Sequence, residues 1–184
     1  LFPEKLNFTT SIFLNSLKDL VAEIPGTYDG KNALVKTNIG EALLYGFEYS
    51  IDYRLMNQIN IYNTLSYVRG LNQKDDQDLP QISPLNSIIG IEYFPLEWMS
   101  TDFSSIIFAE QNKVAPGEKT TAGYATFNFK LNFINLNLGS TKAGLSAGVE
   151  NMFDKEYRNH LSTNRGSITT EPGRNFFFRA NLAF

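Results

Sequence analysis

Between Gly40 and Leu55 the chain alternates residue by residue. Tyr45, Phe47, Tyr49, Ile51 and Tyr53 fall on one side of an extended backbone, and Gly46, Glu48, Ser50, Asp52 and Arg54 on the other. A period of two belongs to a β-strand. Three ionisable side chains on one face of one strand exclude a dry core behind it, because buried unpaired charge is costly; facing water they are ordinary. The pattern recurs in Leu6–Val21, where Leu6, Phe8, Ile12 and Leu14 oppose Asn7, Thr9, Ser11 and Asn15. It recurs in Ile59–Arg69 (Ile59, Ile61, Leu65 and Tyr67 on the apolar face), Ser87–Tyr93, Trp98–Glu110 and Lys142–Val149. In Gly123–Phe133, Ala125, Phe127, Phe129, Leu131 and Phe133 oppose Thr126, Asn128, Lys130 and Asn132. In Asn175–Phe184, Phe176, Phe178, Ala180, Leu182 and Phe184 oppose Asn175, Phe177, Arg179, Asn181 and Ala183.

The connections alternate as well. Ala22–Lys36, with Pro25-Gly26 and Asp29-Gly30, reads as a long loop, as do Gly70–Asn86, Gln111–Ala122 and the polar stretch after Val149. Met56–Gln58, Phe94–Glu97 and the region Asn137–Thr141 read as short turns. Strands with one apolar and one wet face, joined by short turns at one end and long loops at the other, predict a transmembrane antiparallel β-barrel. A strand tilted about 45° crosses a bilayer in roughly 9–11 residues, a length most of these segments reach. Tyr45, Tyr53, Tyr67, Tyr93, Trp98 and Tyr124 stand near strand ends, where aromatic girdles form. If the long loops face outward, Leu1 and Phe184 both lie on the periplasmic side.

Composition changes this picture little. Hydrophobic residues make up 42% of the 184 positions and mean hydropathy is −0.22, values that a barrel shares with soluble proteins because alternate residues cancel. No apolar run is long enough for a membrane-spanning helix. The net charge of −3 and the lack of a basic cluster argue against nucleic acid. With no cysteine, disulfides and thiolate metal sites are excluded. LFPEKLNFTTSIF has neither a basic start nor a cleavage site, so an exported barrel with this beginning is expected to be mature or internal.

Three stretches carry a family resemblance. Gly148–Lys155 with Tyr157, then Glu171-Pro172-Gly173-Arg174 and the aromatic-terminated last strand, resemble the end of a TonB-dependent outer-membrane receptor. Asn38–Ala42 with Tyr45–Glu48, and Leu79–Leu85, resemble two further motifs of that family in the same order. Met152 stands where the family usually has leucine, a swap of similar volume. The resemblance implies an all-β chain of eight strands, the last of a barrel of about 22 strands whose lumen is closed by a plug. It places the whole of 1–184 in that barrel, with the plug, the TonB box and the earlier strands elsewhere. It also implies energised uptake of a scarce nutrient, foremost a metal chelate such as a ferric siderophore. TonB, outer-membrane lipids, the barrel-assembly machinery and a surface lipoprotein or larger outer-membrane complex are the implied partners. Asn151, Phe153, Asp154, Tyr157, Pro172, Gly173 and Arg174 match the motif and read as architecture, since Asn and Asp satisfy backbone groups where a strand ends and Pro-Gly turns a loop. Phe178, Leu182 and Phe184 resemble the signal read during barrel assembly.

Ligand-facing candidates lie in the long loops: Lys113, Arg158, His160 and Arg165. His160, the only histidine, suits either a metal chelate or loop packing. Met56, Met99 and Met152 raise copper, and Ala109–Gly117 with Leu79–Leu85 resembles receptors of a copper-associated branch. The inward row Glu48, Asp52, Arg54, Lys130, Glu150 and Arg179 reads as a plug-facing surface. No cofactor is expected and no catalytic residue stands out, because Ser162 beside the lone His160 in a loop orients no triad. The rival readings are a complete eight-stranded barrel with a structural or adhesion role, a TonB-dependent copper receptor, a passive porin and, last, an outer-membrane enzyme.

Overall fold

The computed structural model describes residues 5–38, 40–139, 141–164 and 168–183. Its strands are β1 (Leu6–Leu17), β2 (Val21–Tyr28), β3 (Lys31–Asn38), β4 (Ala42–Met56), β5 (Ile59–Asn72), β6 (Gln77–Asp78), β7 (Asn86–Leu96), β8 (Met99–Phe108), β9 (Tyr124–Leu138), β10 (Thr141–Glu150) and β11 (Asn175–Ala183). A short helix, α1, spans His160–Asn164. The main sheet runs β1-β4-β5-β7-β8-β9-β10-β11, every pair antiparallel, with β6 added to the end of β5. It is a wall of consecutive antiparallel strands, as the predicted barrel requires.

Register converts alternation into two faces. One register line, Phe8–Ile51–Asn63–Ile89–Ser105–Phe127, runs along the apolar side. The next, Asn7–Asp52–Tyr62–Gly90–Ser104–Asn128, runs along the polar side. Phe8, Ile12, Phe176 and Phe178, on the two terminal strands of the sheet, are 59–84% exposed, which suits a lipid-facing surface. Among the described residues, buried apolar side chains are few, Ala42, Leu79, Ala115 and Ala143, as expected of a wall with two faces and no conventional core.

Three inward aromatics lie over glycines of the adjacent strand: Phe13 over Gly46, Tyr62 over Gly90 and Phe177 over Gly148, each a direct register pair. A Cβ on Gly148 would sit 2.6 Å from the Phe177 ring, and one on Gly46 2.7 Å from the Phe13 ring. Only glycine lets these rings lie against the wall.

Several expectations need correction. The first strand stops at Leu17, and Val21 begins a separate hairpin, β2–β3, where a loop was predicted. Its turn is Asp29-Gly30, with φ of 50° and 72°, the mirror-image geometry that a two-residue hairpin requires. Pro25 is tolerated in β2 because a two-stranded ribbon has free edges. The loop after β5 contributes β6, and the last loop contains α1. Tyr124 does not belong to an outer girdle: it pairs with Phe108 in register on the face of Thr126 and Asn128, and their rings stack at 5.0 Å. Among the described residues no helix is long and apolar enough to cross a membrane, which says nothing about strands.

Candidate functional site

The polar face is a network held by strand register. The Tyr62 hydroxyl donates to Asp102 at 2.7 Å, and Asn60 donates to Asp52 at 3.1 Å and to Glu92 at 3.4 Å. Glu92 and Asp102 are direct register partners on β7 and β8, so two carboxylates stand side by side. Ser66 donates to Glu48 at 3.1 Å, Asn175 to Glu150 at 3.2 Å, and Ser146 to Asn132 at 2.9 Å. Asp102 is only 8% exposed, yet neither it nor Glu92 stands out in the sequence reading. Carrying the alternation of Ile89, Ile91 and Tyr93 through β7 would have placed Glu92 on this face, and the register then brings Asp102 to it. By parity Arg54, Lys130 and Arg179 share the same face.

At the long-loop end, the connections are tied into one layer. Arg69 bridges to Asp78 at 3.0 Å, and the side chains of Leu79 and Ile82 close over Gly70. Glu118 spans two loops: one oxygen accepts from the Gln81 backbone N–H at 2.7 Å, the other from that of Ala115 at 3.1 Å. Gln111 donates to the Ile82 carbonyl at 2.9 Å, and its backbone exchanges hydrogen bonds with Thr121 at 2.9 and 3.1 Å. Asn164 then grips Lys119, accepting from its N–H at 2.9 Å and donating to its carbonyl at 3.2 Å. A cavity of about 330 Å³ opens beside Tyr124, Tyr157 and Arg158. Burial, then the carboxylates of Glu171 and Glu150, pushes the Tyr157 phenol above its ordinary value.

The matched motif residues close the last loop at its base. Asn151, 4% exposed and with φ of 47°, donates to the Lys155 carbonyl at 2.8 Å and accepts from the Lys155 N–H at 2.8 Å. Its own N–H donates to Asn128 at 2.9 Å, and its amide also reaches the Pro172 carbonyl at 3.4 Å. Asp154 accepts from the Arg174 N–H at 2.8 Å, and a Cβ on Gly173 would meet that same carboxylate oxygen at 2.6 Å. Phe153 packs edge-on against Phe127 at 5.4 Å, and Tyr157 lies 4.4 Å from Tyr124.

The predicted ligand-facing residues separate. Lys113 and Arg158 are exposed, Arg165 lies outside the described residues, and His160 is 2% exposed. Burial lowers the His160 imidazole below its ordinary value, while Glu118 acts in the opposite sense. Met56 and Met99 flank short turns at the far end from the loops, and Met152 follows β10. Among the described residues no group of three His, Cys, Asp or Glu side chains could hold a metal ion. Phe178 and Leu182 are 71% and 58% exposed on the apolar face, and Phe184 lies outside the described residues.

Residues 1–152 match the family model described as "TonB dependent receptor-like, beta-barrel". No curated protein sequence matches the chain. Among solved structures, the copper transporter OprC is 26% identical, with a TM-score of 0.84 over 96% of this chain and 28% of that one. The FrpB iron transporter from Neisseria meningitidis is 16% identical, with a TM-score of 0.71 over 96% of this chain and 29% of its own. The ferric citrate transporter FecA is also 16% identical, with a TM-score of 0.73 over 97% and 29%. The last two likenesses concern fold alone. The chain thus spans under a third of the length of each of these proteins. A two-faced antiparallel wall, long loops gathered at one end and a family match over most of the chain lead to one assignment: the protein belongs to the TonB-dependent receptors, as part of their β-barrel.

Proposed function

We propose that this chain is the last eight strands of a barrel of about 22, in an outer-membrane receptor that takes up a metal chelate, foremost a ferric siderophore. The carrying observation is the two-faced wall, with a wet, charged inner face and an interlocked layer of long loops at one end. In this reading the loop layer, with exposed Lys113 and Arg158, forms part of the ligand surface, and the inner row around Asp102 meets a plug. TonB acts on the plug through the upstream chain. Phe178, Leu182 and Phe184 serve recognition by the assembly machinery, and the apolar face meets outer-membrane lipid. A surface lipoprotein or a larger outer-membrane complex is a further partner to look for.

A second reading, copper uptake, is favoured by the 26% identity to OprC. Met56 and Met99 sit at the short-turn end and His160 is buried, which leaves Met152 as the one of these four at the loop end and accessible, so a copper site in this receptor would draw most of its ligands from other parts of the polypeptide. The test is uptake by cells expressing or lacking the receptor, using radiolabelled iron as siderophore chelates and radiolabelled copper, with and without a proton uncoupler. Receptor-dependent iron uptake abolished by the uncoupler is the expected result. Copper uptake alone would support the second reading, and uptake indifferent to the uncoupler would make the protein a passive pore.

A further inference from the structure

His160 joins two loops through a geometry that leaves its ring little choice of state. The Asn164 side-chain oxygen accepts from the Lys119 N–H, so its NH2 end must face the carbonyls of Lys119 and His160 and the ring Nδ1, which lies 3.2 Å away. Nδ1 therefore faces a donor and acts as an acceptor, and the Thr121 hydroxyl, also at 3.2 Å, can donate to it as well. The proton of the neutral ring then sits on Nε2, which is buried with no hydrogen-bond partner among the described residues. A second proton would have to go on Nδ1, where it would point at the Asn164 NH2, a donor against a donor.

We infer that His160 is a proton-sensitive pin holding the 109–123 segment against the 157–164 segment, closed while the ring is neutral and released in acid. Asn164 is the residue that protonation displaces, and it grips the Lys119 backbone on both sides, so its loss frees the tip of the 109–123 segment. Among the described residues, the charged groups are Glu110, Lys113, Glu118 and Lys119 on the 109–123 segment and Arg158 on the 157–164 segment, with Glu156 and Glu171 flanking the latter and the phenols of Tyr124 and Tyr157 packed together at its start. Of these, Glu118 acts on the ring in favour of the proton, but its two oxygens are engaged by the Gln81 and Ala115 N–H groups. Burial acts against the proton and is the larger influence. The sign follows: with a folded-state value below the unfolded one, the pin's contribution is complete above about pH 6.5 and fades as the pH falls toward the folded value.

The experiment uses the folded receptor in detergent, with spin labels on Thr120→Cys and Glu156→Cys, both exposed positions. Inter-label distances are measured at pH 7.5 and at pH 5.0. A narrow distribution at pH 7.5 that is lost at pH 5.0 is expected. His160→Asn, which keeps an acceptor near the Nδ1 position but cannot titrate, should stay narrow at both. A native receptor that stays narrow at pH 5.0, or a His160→Asn variant that broadens as much as the native one, overturns the inference. If His160→Asn is already broad at pH 7.5, Asn164→Asp decides, because a carboxylate facing Nδ1 welcomes the proton. An inverted response, tighter in acid, that is absent when His160→Asn is added to Asn164→Asp upholds the pin, and an unchanged direction of response, or an inversion that persists without His160, overturns it.

Discussion

Asn151→Ala isolates what the matched motif does for the loop it closes. Asparagine tolerates the left-handed backbone found here, φ of 47°, whereas alanine is penalised there by about 1 kcal/mol. The substitution also removes the partner of both the Lys155 N–H and the Lys155 carbonyl. Lys155 itself is exposed, so water replaces part of each bond and the lower end of the usual range applies, about 1 kcal/mol apiece. The sum, about 3 kcal/mol, corresponds to roughly a hundredfold increase in local opening, since each 1.4 kcal/mol is a factor of ten. Amide hydrogen exchange on the folded receptor reads this directly. Protection at Lys155 and Arg174 should fall by about two orders of magnitude, while β8 and β9 keep theirs. Asn151→Gly relieves the backbone penalty of about 1 kcal/mol and not the lost bonds, so it should recover about fivefold of that protection. The reasoning fails if Asn151→Ala leaves Lys155 protected at the native level, or if glycine proves worse than alanine.

Other expectations follow from the two faces and from the loop layer. Gly148→Val drives a side chain into both the Phe177 ring and the Phe129 carbonyl, an overpacking cost of about 1–3 kcal/mol, and should reduce the fraction migrating as folded barrel on a cold detergent gel; an unchanged fraction would refute the close packing. Phe178→Arg should cost about 2–4 kcal/mol in bilayer unfolding titrations if that position lies near the midplane, and Arg179→Leu, one residue on and facing inward, far less; equal costs would refute the assignment of faces. The fold holds the Tyr157 phenol protonated beyond its ordinary value of about 10, so an unfolded chain releases this proton first as pH rises. Its contribution to stability is therefore complete below about pH 10 and declines above it. Tyr157→Phe should flatten that decline in a melting-temperature series, and an identical decline would remove Tyr157 as its source.

The wall was legible because its chemistry repeats every second residue, and register merely aligned what alternation had sorted: Phe47 above Tyr67, Glu48 beside Ser66. The hairpin β2–β3 was hidden by its own turn. Asp29-Gly30 signals a two-residue reversal, yet Pro25-Gly26 nearby reads as loop and masks the pairing of Val21–Tyr28 with Lys31–Asn38. Tyr124 misled in the other way. Position near a strand end admits a girdle, but parity puts it on the face of Thr126 and Asn128 with Phe108. The ties between loops were not legible at all. His160 and Thr121 are 39 positions apart, Gln81 and Glu118 37, and hydrogen bonds of that reach follow no local period.

Those ties carry a consequence for whatever lands on the loop layer. Ordering the backbone of a single free residue costs about 1–2 kcal/mol, so a surface of loose loops spends much of its attraction on organising itself around a guest. Here Glu118, Gln111 and Asn164 have already set the shape in the chain alone. A layer fastened in advance gains from a guest that fits and gives little ground to one that does not. Under the proposed function, such a layer sorts by outline, where a loose one would wrap whatever arrived.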